Sequence, residues 1–78
     1  MQFLHVEEAK HVDGFRVWLR FNDGLEFTVN LANQLEGPIF KPLKDPEYFM
    51  QFTLSGHTLS WPNGADFSPE YLHALSAN

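Results

Sequence analysis

Cysteine is absent from the 78 residues, which excludes a disulfide framework, a thiolate nucleophile and a cysteine-bound zinc ion. A secreted domain this small usually needs such staples, so a reducing cytoplasm is the expected compartment. Basic residues are scarce: five Lys and Arg stand against ten Asp and Glu, a net charge of −5. That sign repels a phosphate backbone, so nucleic-acid binding is not expected, and a basic protein surface is the better electrostatic match. No long apolar run is present, and Met1 to Lys10 carries Glu7 and Glu8. This stretch reads neither as a signal peptide nor as a membrane anchor, so no membrane contact is expected. Internal repeats, low-complexity tracts and linkers are also missing, so one domain over residues 1–78 is expected.

Aromatic residues, by contrast, are plentiful: eight Phe, two Trp and two Tyr within a hydrophobic share of 44%. They supply the core of a chain that buries only roughly 60% of its unfolded surface, because aromatic side chains remove the most apolar area per residue ordered. At 0.05–0.15 kcal/mol per residue the fold is worth about 4 to 12 kcal/mol. Losing one or two aromatics would be enough to unfold it.

The first half has a period of two. Phe15, Val17, Leu19 and Phe21 alternate with Arg16, Trp18 and Arg20, and Leu25, Phe27 and Val29 alternate with Glu26 and Thr28. Asn22-Asp23-Gly24 between them reads as a three-residue hairpin loop with Gly24 at positive φ. Counting outward pairs Phe21 with Leu25, Leu19 with Phe27, Val17 with Val29 and Arg20 with Glu26. A slip of one residue would set apolar against polar side chains, so the register is well specified. An earlier strand contains Val6, Ala9 and Val12, which do not alternate strictly. A turn at Asp13-Gly14 would set Lys10 and Glu8 beside apolar neighbours, a conflict that a bulge near Glu7-Glu8 would resolve.

Beyond this meander, Leu31 to Leu35 reads as a helical turn, and Gly37-Pro38 and Pro42 point to irregular backbone. Asp45-Pro46-Glu47 is a helix entry, with a capping acceptor, a proline at the first position and an acid in the first turn. The helix carries Tyr48, Phe49 and Phe52. Phe52 to Leu54 and Thr58 to Trp61 flank Ser55-Gly56-His57 as a second hairpin, ended by Pro62 and the Asn63-Gly64 turn. Ser68-Pro69-Glu70 opens a last helix with Tyr71, Leu72 and Leu75 on its apolar side. The expected class is α+β: an antiparallel three-stranded meander, then a short helix, a second hairpin and a C-terminal helix.

Catalytic and metal chemistry find little support. His5 and His11 are separated by six residues at about 3.3 Å each, roughly 20 Å along a strand, too far to share one ion. His57 falls in a turn, and His73 has no partner at i+4, so no metal site and no cofactor are expected. Ser68 reads as a cap, Ser55 and Ser60 as hairpin residues, and neither a nucleophile elbow nor a phosphate-binding glycine loop occurs. Asp45 and Glu47 serve a helix entry rather than acid–base chemistry. No catalytic residue is therefore assigned, and the chain is not expected to be an enzyme.

Two polar clusters remain. Arg16, Trp18 and Arg20 form a basic-aromatic stripe opposite the apolar strand face, and Arg and Trp are favoured interface anchors. Two arginines are too few for a phosphate backbone, so this is the candidate protein-contact surface. The bland account covers Trp18 with a helix and pairs Arg20 with Glu26. Trp61, Asn63 and Asp66 form the second cluster, where a small ligand or substrate would sit if there were one. The structural account has Asn63-Gly64 make the turn and Asp66 accept backbone N–H bonds ahead of the Ser68 cap.

Gly37-Pro38-Ile39-Phe40, Leu43-Lys44-Asp45-Pro46, Phe49, Trp61-Pro62-Asn63-Gly64-Ala65-Asp66 and Ser68-Pro69-Glu70 together resemble the bacterial domain of unknown function 2442 family. The resemblance runs over roughly Leu4 to Leu75, and Trp-Pro-Asn-Gly-x-Asp is its most specific part. It implies a small α+β fold. The family's third strand usually ends in Asp-Leu, where this chain has Asn30-Leu31, an amide still able to cap or hydrogen-bond. Members are uncharacterised. Their genes often stand beside a second short family regarded as a toxin partner, which implies an antitoxin-like role. Some relatives carry a helix-turn-helix domain after this one; with the sequence ending at Asn78, DNA binding by that route is not expected. The resulting expectation is a small cytoplasmic protein-interaction module, antitoxin-like, with a protein partner from an adjacent gene. A homodimer through sheet edges is a further expectation. The alternative is a small-ligand-binding or enzymatic domain sited near Trp61, Asn63 and Asp66.

Overall fold

The hairpin of β2 (Arg16–Phe21) and β3 (Glu26–Asn30) has the register that alternation dictates: Val17 lies opposite Val29, Leu19 opposite Phe27 and Arg20 opposite Glu26. The structure is a computed structural model that describes residues 3–77. The Phe21 N–H donates to the Leu25 carbonyl at 2.8 Å and the Gly24 N–H to the Phe21 carbonyl at 3.0 Å, closing a three-residue loop. Gly24 stands there at φ +93°, where a side chain would be strained.

Strand β1 (Val6–Asp13) completes an antiparallel sheet of order β1-β2-β3, with register shifts between Val6 and Glu8 and between His11 and Asp13. The first shift is the bulge anticipated near Glu7-Glu8. The turn itself departs from the Asp13-Gly14 reading. Its central residues are Gly14 and Phe15, flanked by the Asp13–Arg16 pair. Two features explain this. Gly14, at φ +44°, takes the first central position, where a positive φ suits a tight hairpin. Asp13 and Arg16 then lie directly opposite and join through two hydrogen bonds, Nε to Oδ1 at 2.8 Å and Nη2 to Oδ2 at 2.5 Å. The extra residue at Val12 restores the apolar phase: Ala9 faces Leu19, while Glu8 faces Arg20 and Lys10 faces Trp18.

A separate two-stranded sheet pairs β4 (Thr53–Ser55) with β5 (Thr58–Ser60). Its loop is two residues long rather than three, because Ser55 pairs with Thr58. Gly56 and His57 both adopt positive φ, 61° and 68°, as a tight turn between right-twisted strands requires. The Val6 N–H donates to the His57 carbonyl at 2.9 Å, tying this hairpin to the end of β1.

The connecting segment is more regular than its prolines suggest. A 3-10 turn spans Ala32–Gln34, and another 3-10 stretch spans Pro38–Lys44 with Pro42 inside it. Helix α1 (Pro46–Phe49) is one turn long, and Asp45 accepts the Glu47 N–H at its start. Phe52 falls beyond its end. Helix α2 (Pro69–Ala74) begins on the Ser68 hydroxyl, which accepts the Tyr71 N–H, and continues into a 3-10 turn, Leu75–Ala77.

Both helices pack on the inner sheet face. Phe49 of α1 is fully buried, with its ring 5.1 Å from Phe15 and 5.7 Å from Trp61. Leu72 of α2 is also fully buried, beside Val17, Leu19 and Phe21 in one apolar cluster. The Trp61 indole N–H donates to the Phe49 carbonyl at 2.7 Å inside this core. A polar atom at the centre is thereby satisfied, as a buried donor must be.

Candidate functional site

Residues opposite the core in β1 and β2 form the open face of the three-stranded sheet. Trp18 occupies its centre and is half-buried, on the side away from both helices. The Nζ of Lys10 lies 5.6 Å from the centre of the Trp18 ring, within reach of a cation–π contact. Trp18 is therefore covered by a neighbouring strand's side chain and not, as the bland account had it, by a helix.

The expected basic stripe is cancelled by acids of β1. Arg20 approaches Glu7 at 3.7 Å and Glu8 at 3.3 Å, and Lys10 approaches Glu8 at 3.2 Å. Although Glu26 is Arg20's partner in the β2–β3 register, the ion pairs form across the other strand boundary. The Glu7 bulge is the reason: it adds a second carboxylate beside the guanidinium. Arg16 is held by Asp13, whose hydrogen bond raises the guanidinium above its usual value and holds the Asp13 carboxyl below the usual carboxylate range. With Glu26 opposite Arg20 as well, the resulting face carries no net positive charge around its one aromatic ring. Such a surface has no excess positive charge to offer phosphate, and it presents an indole in a polar rim, the arrangement that anchors protein contacts.

The loop after β5 brings Trp61 and Asn63 together, but their polar atoms already have partners. Asn63 donates from Nδ2 to the Ile39 carbonyl at 2.8 Å and accepts the Ala65 N–H at 3.1 Å. With the Trp61 bond to Phe49, these groups fasten the loop to α1 and to the 3-10 stretch before it. Asp66 differs from expectation. Its carboxylate is exposed and makes no hydrogen bond among the described residues; the backbone bridge between Ser60 and Asp66 does the tying instead.

One juxtaposition has no sequence signal. The rings of His5 and His57 stand 5.0 Å apart, because the β4–β5 hairpin docks on the start of β1. A groove of about 490 Å³ opens beside them, bounded also by Phe3 and Glu70. Among the described residues, no group of three or more His, Cys, Asp or Glu is arranged to hold a metal ion. His11 Nε2 donates to the Gly14 carbonyl, 3.0 Å away, within its own hairpin. A second groove, about 370 Å³, runs along β3 between Thr28, Asn30, Gln34 and Leu75. No helix among the described residues is long and apolar enough to cross a membrane.

A family model described as "Protein of unknown function (DUF2442)" matches residues 6–78. No curated protein and no solved structure matches the chain.

Proposed function

The chain belongs to the DUF2442 family of proteins of unknown function, and from that premise we propose that it is a small protein-interaction module whose partner docks on the open sheet face around Trp18. The observation that carries this reading is the one-sided packing of the meander: α1 and α2 cover the inner face, and Trp18 is left in a rim of paired charges. Burying that indole under a partner removes apolar area without stranding a charge, since Arg16, Arg20 and Lys10 keep their acidic partners. Of the remaining acids, Glu26 lies on this face opposite Arg20, whereas Glu36, Glu47 and Glu70 are exposed outside it. They leave the molecule at −5 and would steer a basic partner toward it.

In its finer form the proposal is an antitoxin-like, cytoplasmic protein that occludes the product of a neighbouring gene. The test is co-expression with that product. A complex should survive purification, and Trp18→Ala should weaken it by about 30-fold, the effect of removing a binding hot spot. Circular dichroism should show the variant folded. Absence of any complex would remove the partner reading, and a complex indifferent to Trp18→Ala would remove this face.

A further inference from the structure

Strand β3 is a free edge whose hydrogen-bonding groups point away from the rest of the sheet. In an antiparallel pair, alternate residues exchange backbone bonds with the neighbouring strand. Phe21 bonds Leu25, and the Leu31 N–H donates to the Phe15 carbonyl at 2.9 Å, so residues 25, 27, 29 and 31 face β2. The N–H and C=O groups of Glu26, Thr28 and Asn30 consequently face outward. Among the described residues, no other backbone segment bonds to them. The opposite edge is blunted by two shifts in register and by the hairpin that takes the Val6 N–H. Strand β3 has no bulge, lysine or proline to discourage pairing, the devices by which edges are usually protected.

We propose that β3 pairs antiparallel with β3 of a second copy, about a two-fold axis through Thr28, to form a continuous six-stranded sheet. The strand is self-complementary in this register. All three outward residues find partners: Thr28 faces Thr28 of the second copy, and Glu26 faces Asn30. Shifting the axis to Glu26 would set like charges opposite each other, which is unfavourable. Across the junction the exposed row then reads Arg20, Glu26, Asn30 of the second copy, Arg16 of the second copy, so Glu26 is flanked by cationic and neutral groups only. On the inner side, half-buried Phe27 comes opposite Val29, an aromatic and β-branched pair of the kind that stabilises sheets. The groove bounded by Gln34 and Leu75 lies on this side of the edge and gives the second copy's Phe27 room. A closed two-fold arrangement uses up the β3 edge of each copy, leaves the blunted β1 edges outermost, and stops at the dimer. Partner docking at Trp18 is a separate matter, and neither proposal requires the other.

The chain's lack of cysteine makes a direct test available. In an H-bonded antiparallel pair the Cα atoms stand about 5.5 Å apart, within the span of a disulfide. Thr28→Cys should therefore form a covalent dimer under mild oxidation at least tenfold faster than Glu47→Cys, an exposed control on α1. Sedimentation velocity of the unmodified chain should show a dimer. Thr28→Lys, which places two ammonium groups across the axis, should raise its dissociation constant at least tenfold. A monomer at millimolar concentration, a dimer indifferent to Thr28→Lys, or cross-linking of Thr28→Cys no faster than the control would each overturn the proposal. If Thr28→Lys does not fold, the cross-linking comparison decides alone.

Discussion

His73 Nε2 lies 2.8 Å from the Oδ2 of Asp23, a residue fifty positions earlier in the chain. The other oxygen of that carboxylate accepts the Leu25 N–H at 3.0 Å, so one side chain both shapes the β2–β3 loop and receives the C-terminal helix. The His73 ring also stands edge-on to Phe21, 5.0 Å away. The last helix is thus fastened to the first hairpin at a polar point and an apolar one.

Acid should loosen this fastening. The Leu25 N–H, and after it the His73 hydrogen bond, hold the Asp23 carboxyl below its ordinary 3.8. A carboxylate depressed in the folded state stabilises above its unfolded pKa and loses that contribution as pH falls through the folded value. The contribution is therefore complete above about pH 4 and fades below it. Asp23→Asn keeps an oxygen for Leu25 but cannot titrate. The difference in melting temperature between the two proteins should shrink as pH is lowered from about 6 to about 2. A difference that does not change with pH would show that the charge is immaterial.

Removing the indole N–H should cost more than the change in size suggests. Trp61→Phe leaves the buried Phe49 carbonyl without this donor, a penalty of about 1–3 kcal/mol, together with the volume lost from a packed site. Chemical denaturation should report a loss in that range or above it. A loss under about 0.5 kcal/mol would mean that another donor replaces the indole.

Asn30 offers a cleaner comparison. Its Oδ1 accepts the Ala32 N–H at 2.9 Å, an Asx turn that leads from β3 into the 3-10 turn Ala32–Gln34. Asn30→Ala should cost about 1 kcal/mol, as loss of one net hydrogen bond does. Asn30→Asp should retain the bond and most of the stability. Equal losses for both, measured by thermal unfolding, would show that the bond contributes nothing.

Much of the architecture was legible because its determinants are local. The Asn22-Asp23-Gly24 loop and strict alternation imposed the β2–β3 register, and Asp45 and Ser68 announced two helix starts that the fold contains. The first turn lies one residue beyond Asp13-Gly14, itself a good turn pair. What moved it was the cross-strand bond of Asp13 to Arg16, which a reading of turn propensities does not include. The candidate face was half legible. Periodicity put Arg16, Trp18 and Arg20 on one side of β2, but the acids that neutralise them arrive from β1 through a bulge. The tie expected of the Asp66 side chain is made by the backbone bridge between Ser60 and Asp66.

From the amino-acid order alone came the α+β class, the hairpin phase, the capped helix starts and the absence of thiol chemistry. Each depends on φ preferences and side-chain periodicity acting within a few residues. Only the tertiary structure decided that the sheet leaves one face open, that His57 meets His5, that His73 finds Asp23 and that Glu7 and Glu8 cancel the charge of Arg20. These contacts join residues distant in sequence, and their formation turns on how one extra residue in a strand rotates all those beyond it.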